Sequence, residues 1–528
     1  MLNRRQLLQS AAAAAPAVLL SRGATAARAQ IPPSAAGMNV IVFITDQERA
    51  IQHFPSGWSE RNLPATTRLQ RNGVTFERAF TNACMCSPAR ATLLTGLLPA
   101  QHGVKYTLEE NMPAGEYPQV ELSTELENLA SVAAAAGYEV VYKGKFHLTK
   151  PAGDDWAPGD LGRYGFQRWN PPDAGADQSI AEAGGGTTDH DGRYMNDDGD
   201  VAAGQEGVLA YLDGPAGQSG KPFFLIVSLV NPHDVLMYPR NYEEAGYDDD
   251  WLDGDIRLPA TVDEDLSTKP TAQAQFLRIF RLSGILGTRQ RKRAYLRFYA
   301  NLMRSSDRYL QQILDVLDRR GLTDSTLVIK TADHGEMGLA HGGLRQKNFN
   351  VYEETLRIPL VYSNPRLFPR ARRSRELVSH VDFLPTIASL IGAPRSARGD
   401  WTGVDYARHV LGSAKGPVQD HVVFTFDDFQ AGQDSGPYVP QPNHIVSIRE
   451  KRWKIARYYD PTGEREDQWE MYDLRSDPLE RRNIAWPATR RTAREERQLR
   501  RLQRKLARVE RTQLRPRADT PQPLVPVG

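Results

Sequence analysis

Apolar and polar positions fall in long alternating blocks along this 528-residue chain. Four short runs are apolar at nearly every position and rich in β-branched residues: NVIVFIT at 39–45, YEVVY at 138–142, FFLIVSLV at 223–230 and TLVIKT at 326–331. Runs of that kind predict strands buried on both faces of a parallel sheet. Between them the apolar period becomes helical, as in LENLASVAAAAG before the second run and RFYANLMRSSDRYLQQILDVLDRRG before the fourth. Strands alternating with helices predict an α/β layered fold. No internal repeat interrupts the pattern.

Each run ends in a polar cluster. Asp46-Gln47 follows the first, Lys143-Gly144-Lys145-Phe146-His147 the second, Asn231-Pro232-His233-Asp234 the third and Asp333-His334-Gly335-Glu336 the fourth. Ligands of open α/β sheets bind beyond the carboxyl ends of the strands. Four strands therefore aim metal-capable and anion-capable groups at one edge, which a single loop accident does not produce.

Past residue 410 the pattern changes. HVVFTF, HIVSIRE and KRWKIARYY are strand-like, and EMYDLRSDPLERRNIA follows, so 415–486 reads as a small α+β subdomain after a catalytic-sized body over 38–410. In the tail, 487–528, Leu499, Leu502, Leu506 and Val509 form a narrow apolar stripe on an Arg-rich helix. That stripe is expected to pack across the body of the protein rather than on a membrane or partner. Residues 234–290 form a long excursion, acidic and aromatic in NYEEAGYDDDWLDGD and basic near TRQRKR. A solvated loop is the expectation there, with a lid over a site as its rival.

Charge adds a division. The net charge is +2, with +4 on residues 1–29 and +9 on 490–517, so the remainder stands at −11. An acidic body disfavours nucleic acid as a partner. The start of the chain reads as a leader: Asn3-Arg4-Arg5-Gln6-Leu7-Leu8 is a twin-arginine pattern, AAAAAPAVLL is apolar, and Ala27-Arg28-Ala29 is an A-x-A cleavage site. The apolar run is shorter than the roughly 20 residues of a membrane span. The expectation is a cleaved export signal over 1–29, the twin-arginine translocase as partner and a periplasmic or secreted product; a short anchor is the alternative.

The chain holds two cysteines, Cys84 and Cys86, in TNACMCSPARATLLTG. A bridge between them would close a strained loop that restrains little. Pro88 suits the first turn of a helix and Gly96 its end. Cys86 is then expected just before a helix N-terminus, where free N–H groups favour an anion, with Arg90 one turn on to hold an oxyanion. These features make Cys86 a reactive cysteine and Cys84 a small buried apolar residue.

Cys86-x-Pro88-x-Arg90, continued by Leu94-Thr95-Gly96, resembles the signature of formylglycine-dependent sulfatases, and the resemblance runs from about Asn39 to Ala485. It implies an alkaline-phosphatase-like α/β/α sandwich with a largely parallel central sheet and a smaller C-terminal α+β subdomain. It also implies that a formylglycine-generating enzyme oxidises Cys86 to formylglycine, whose hydrated form attacks a small sulfate ester. By the same resemblance Asp46, Gln47, Asp333, His334 and modified Cys86 hold a divalent cation, Ca²⁺ by family precedent with Mn²⁺ or Mg²⁺ as alternatives. Arg90 orients the formylglycine. Lys145 binds sulfate oxygens, His147 assists the nucleophile, and His233 and Lys347 contact the sulfate and the leaving-group oxygen. Val381 to Thr386 and Tyr472-Asp473-Leu474 match elements read as structural.

Two positions depart from the family pattern. Gln47 stands where a second aspartate is common, which lowers the negative charge of the cation site, and Ala89 stands where serine is common. Asp-Gln with Asp-His also resembles the phosphonate monoester and phosphodiester hydrolases of the same superfamily. A non-catalytic binding protein with an unmodified cysteine is the remaining alternative.

Overall fold

The computed structural model describes residues 34–520 apart from 51–52, 110–118, 175–190, 197–198, 240–254, 281–283, 431–437 and 519. The leader expected over 1–29 lies outside the described residues, as does the acidic stretch up to residue 254. Among the described residues no helix is long and apolar enough to cross a membrane.

A seven-stranded sheet runs in the order β4 (Glu139–Gly144), β5 (Phe223–Ser228), β1 (Asn39–Thr45), β6 (Thr326–Ala332), β8 (Leu360–Ser363), β2 (Gly73–Phe76) and β9 (Arg372–Ser374). The first four strands are mutually parallel, while β8 runs antiparallel to both β6 and β2. Side chains of β1 alternate between the faces, as strand geometry requires. Val40, Val42 and Ile44 meet helices Leu129–Ala135 and Phe383–Leu390. Ile41 and Phe43 meet Val208–Asp213 and the long helix Arg289–Arg319. Both faces are covered, so each of these side chains is worth about 1.5–3 kcal/mol in burial, and the fold is an α/β/α sandwich.

Register brings the strand ends level. Ile44 lies opposite Ser228 on one side and Thr331 on the other, and Gly144 also lies opposite Ser228. Asp46, Lys145, the turn after Ser228 and Asp333 therefore leave the sheet along one edge. Gly144 is required at its corner. Its φ is +101°, and an added Cβ would stand 2.0 Å from the Ser228 carbonyl oxygen.

β3 (Ala79–Phe80), β7 (Arg357–Ile358) and β10 (Val378–Ser379) make a small second sheet. The C-terminal sheet is antiparallel in chain order, β11 (Val422–Phe426), β12 (His444–Arg449), β13 (Trp453–Tyr459) and β14 (Gln468–Asp473). On one face Val423, Val446, Ile448 and Ile455 receive Leu499, Leu502, Leu506 and Val509 of helix Ala493–Thr512. The apolar stripe of the tail thus packs inward. The N-terminus of that helix is held by a capping box between Thr492 and Glu495.

The 234–290 excursion differs from expectation where it is described. Helix Thr271–Phe280 buries Ala272, Gln273 and Phe276 against the other face of the C-terminal sheet. Gln273 Nε2 donates to Tyr458 Oη at 3.1 Å, and Lys269 Nζ to Tyr472 Oη at 3.1 Å. Ala272 and Phe276 share a face at i, i+4 spacing, so this part is core rather than solvated loop. The basic TRQRKR begins the long helix, which starts at Arg289 rather than near 297.

Candidate active site

Cys86 is the first residue of helix Cys86–Thr95, not the residue before it, because the Ala89 N–H reaches the Met85 carbonyl at 3.0 Å and closes the first turn around it. Gly96, at φ 66°, ends the helix in the left-handed region that glycine allows. All ten helix residues are buried, so the thiol is presented on a rigid element. Cys84 and Cys86 are both free thiols, and burial pushes the Cys84 thiol up.

Four donors surround one point. Cys86 Sγ lies 3.2 Å from His334 Nε2 and 3.6 Å from Asp46 Oδ1, and single donor atoms of Asp46, Cys86, Asp333 and His334 all fall within 4.8 Å of one another. His334 Nδ1 is 3.1 Å from the Gly335 carbonyl. That contact places the ring proton on Nδ1 and leaves the Nε2 lone pair facing the cluster. Two carboxylates and an imidazole suit a hard divalent cation.

Arg90 ties the group together. Its Nε donates to Asp333 Oδ2 at 3.0 Å, Nη2 to Asp46 Oδ2 at 3.1 Å, and Nη1 to the Lys145 carbonyl at 2.8 Å and Ser228 Oγ at 2.7 Å. The guanidinium is thus engaged by the carboxylates rather than held open for an oxyanion. Lys145 Nζ sits 2.6 Å from Asp46 Oδ2. Burial would raise the Asp46 carboxyl, but Lys145, His233, Arg90 and His334 outweigh it and hold it well below its usual range. Asp333 goes the other way: burial, and then the like charge of Asp46, push it up to about 6. A cation among these groups would remove that repulsion.

His147, His233 and Lys347 are also buried. His147 Nε2 is 2.6 Å from the Leu108 carbonyl, which makes it the protonated nitrogen, while among the described residues Nδ1 is buried without a hydrogen-bond partner. His233 Nδ1 is likewise buried and unpartnered. Burial, reinforced by Lys145, keeps the His147 ring well below the ordinary imidazole range. In His233 burial and the two lysines Lys145 and Lys347 outweigh Asp46. Gln47 lies in the left-handed region at φ 66°, and its amide is committed on both sides. Oε1 accepts from Lys347 Nζ at 2.8 Å, Nε2 donates to Glu336 Oε2 at 2.7 Å, and the backbone N–H donates to Asp333 Oδ1 at 3.0 Å.

Two aspartates that no motif flagged hold the histidine turns. Asp173 accepts from Phe146 N at 3.1 Å and His147 N at 2.6 Å, clamping His147 at φ 61°. Asp191 accepts from Val230 N at 2.6 Å and Asn231 N at 2.9 Å, two residues ahead of His233. Both come from the chain between β4 and β5, where nothing in the spacing distinguishes them from surface acids. His341, close to Asp333 in sequence, faces away from the cluster: it stacks on Tyr352 at 3.5 Å and meets Glu264 at 2.8 Å.

A family model described as Sulfatase matches residues 38–393, and one described as N-sulphoglucosamine sulphohydrolase, C-terminal, matches 341–511. The chain is 25% identical over 421 residues to Delta 4,5-hexuronate-2-O-sulfatase of Bacteroides thetaiotaomicron, covering 78% of this chain and 77% of the relative. It is 24% identical over 466 residues to choline-sulfatase of Rhizobium meliloti, covering 85% and 82%. Among solved structures, a 2-O GAG sulfatase superposes with TM-score 0.66 at 20% identity, covering 90% of this chain and 92% of that one. The phosphonate monoester hydrolase of Agrobacterium radiobacter superposes with TM-score 0.62 at 22% identity, covering 90% and 96%. Identities this low show the fold alone, but the family model spans more than half of the chain. With a layered α/β sandwich and one buried cluster at its strand ends, the chain belongs to the sulfatase family and is a sulfuric ester hydrolase of the alkaline-phosphatase-like fold.

Proposed function

We propose that this protein is an exported sulfatase that hydrolyses a small sulfate ester through a formylglycine made from Cys86. The observation that carries the proposal is the placement of Cys86 on a helix start within reach of Asp46 and His334, with Arg90 and Lys145 fixed behind it. Hydrated formylglycine supplies a gem-diol nucleophile. A divalent cation, Ca²⁺ on this oxygen-rich donor set, would be held by Asp46, Asp333, His334 and the side chain at 86, with the Gln47 amide beside them, and would supply fixed positive charge facing the sulfate.

The protein's own groups then divide the work. Arg90 holds the Oδ2 atoms of both aspartates by separate nitrogens and so fixes the two carboxylates beside position 86. Lys145 and Lys347 add preorganised charge for the non-bridging and bridging oxygens, where negative charge rests in the transition state. His147 is kept neutral, with its Nε2 proton spent on Leu108, so its Nδ1 lone pair is available to take a proton from the nucleophile. This reading puts His233 beside the sulfate and the leaving-group oxygen. Burial of the whole set excludes bulk water and strengthens each interaction.

A second reading, phosphonate monoester or phosphodiester hydrolysis, has one observation in its favour. Gln47 puts a neutral amide where the sulfatase pattern has a second carboxylate. The twin-arginine leader supports export to the periplasm or beyond and maturation by the formylglycine-generating enzyme before translocation. The deciding experiment has two arms on protein made in its own host. Mass analysis of the peptide holding Cys86 should find the aldehyde form, and an intact thiol alone would remove the nucleophile and favour a non-catalytic role. Parallel assay of a sulfate monoester and a phosphonate monoester should favour the sulfate; a large phosphonate preference would reverse the assignment.

A further inference from the structure

The apolar stripe of helix Ala493–Thr512 is used up on the C-terminal sheet, and this leaves its opposite face to be explained. Arg494, Arg497, Arg500, Arg504, Arg508 and Arg511 are all exposed. Their intervals of three and four residues put them on one side of the helix. From Arg494 to Arg511 the six extend about 26 Å along the axis at 1.5 Å per residue. Within this row only Arg500 has a carboxylate partner, Glu496 at 2.8 Å. For the side chains of the other five, no hydrogen bond or ion pair exists among the described residues. The acids nearby are spent on the flanks, where Arg501 and Lys505 reach Glu450 at 2.6 and 2.7 Å and Lys505 also reaches Asp420 at 2.9 Å.

A row of like charges one turn apart repels itself, and packing the helix down does not require it, since the four apolar residues do that. The surrounding body is acidic, so the row is a local feature and not part of a generally basic surface. We infer that this arginine face is a docking surface for a linear sulfated polysaccharide, bound apart from the ester that the active site hydrolyses. Guanidinium groups bind sulfate and carboxylate oxygens in bidentate fashion. Regular spacing along a straight rod suits a chain that carries an anion on successive sugars. An anionic bilayer is the poorer match, because interfacial helices insert an apolar face and here that face is buried in the protein. The choice of polymer rests on the sulfatase reading, but the binding itself does not.

The test uses full-length protein and compares wild type with R497Q/R504Q/R508Q/R511Q, which leaves the apolar stripe and the active site intact. Heparin is the probe, with neutral dextran as control and vesicles of phosphatidylcholine and phosphatidylserine as a second arm. The variant should elute from immobilised heparin at lower salt, bind it about tenfold or more weakly near ~0.15 M salt, and show a shallower dependence on salt, because fewer counterions are exchanged. Its melting midpoint and its turnover of a small sulfate ester should match wild type. Equal heparin binding by both proteins would overturn the inference, and so would loss confined to the vesicles. Absence of sulfatase activity in both proteins would count against the proposed function while leaving the binding comparison readable.

Discussion

Two of the buried charge clusters among the described residues make a matched pair, each with two acids and two bases. At the strand ends Asp46 and Asp333 face Arg90 and Lys145. Beneath the C-terminal sheet Glu353 and Glu480 face Arg449 and Lys454, at 3.1 Å for Arg449 to Glu353 and 3.0 and 2.7 Å for Lys454 to the two glutamates. In both, one acid is held low and the other pushed up. Burial is outweighed at Glu353 by Arg449 and Lys454, whereas burial and the neighbouring Glu353 push Glu480 up to about 7. The difference lies in what the surroundings finish. Around Glu353 the Arg449 fork closes on both oxygens and Lys454 also donates to the Val351 carbonyl. Around Asp46 and Asp333 stand a free thiol and two imidazoles, of His147 and His233, whose Nδ1 atoms have no partner among the described residues. Buried polar groups are ordinarily satisfied, so unpartnered imidazole nitrogens beside a free thiol mark a place where something else binds, while the ion-paired carboxylates of the other cluster mark a joint.

Matched substitutions put that contrast to work. Lys145→Met is expected to lower turnover of a sulfate ester by about 10³-fold or more, which is about 4 kcal/mol of transition-state stabilisation, in single-turnover assays. Lys454→Met should instead cost about 3–5 kcal/mol of stability, because it strands the buried Glu480 carboxylate, and should leave the rate per folded molecule unchanged. If Lys454→Met slowed the chemistry as Lys145→Met does, the two clusters would not be distinct in kind.

Asp173→Asn sharpens the distinction within the active region. The amide keeps one acceptor for the Phe146 and His147 N–H groups and loses the other, so His147 shifts while its ring is untouched. Turnover should fall about 100-fold, as small displacements of catalytic groups do, with KM nearly constant and a small change in melting midpoint. A purely structural Asp173 would move stability and leave kcat alone.

A separate effect is on pH. His102, in neither cluster, is satisfied as a neutral ring between Thr92 Oγ1 at 3.0 Å and the Val104 N–H at 3.1 Å, and burial, followed by Lys105, lowers its pKa to about 3. Its folded value lies below the unfolded one of about 6.5, so below pH 6.5 the unfolded chain binds the extra proton. Stability present above about 6.5 should then be lost as pH falls toward 3, at up to about 1.4 kcal/mol per pH unit. Urea titrations of His102→Asn should show a flatter dependence over that window.

Much of this could be read from residue order. The four apolar runs announced β1, β4, β5 and β6 within two or three residues, since a strand buried on both faces has nowhere to put a polar side chain until it leaves the sheet. For the same reason the polar residues that follow each run had to emerge at its end, and Cys86-x-Pro88-x-Arg90 could be placed on a helix start from Pro88 and Gly96. The inward packing of Leu499, Leu502, Leu506 and Val509 followed from their spacing alone.

What the tertiary structure decided depends on partners distant in the chain. Residues 255–280 looked like charged loop, but Gln273 and Lys269 find Tyr458 and Tyr472 only once the C-terminal sheet is folded beneath them. Asp173 and Asp191 resemble any surface acid until register sets them under the backbone of His147 and of Asn231. The commitment of the Gln47 amide to Lys347 and Glu336, some 300 and 289 positions away, has no local signature at all. Burial and periodicity are properties of a few consecutive residues and survive in the one-dimensional string. Hydrogen bonds between strand-end turns and the segments that cover them exist only after the sheet has brought those turns level.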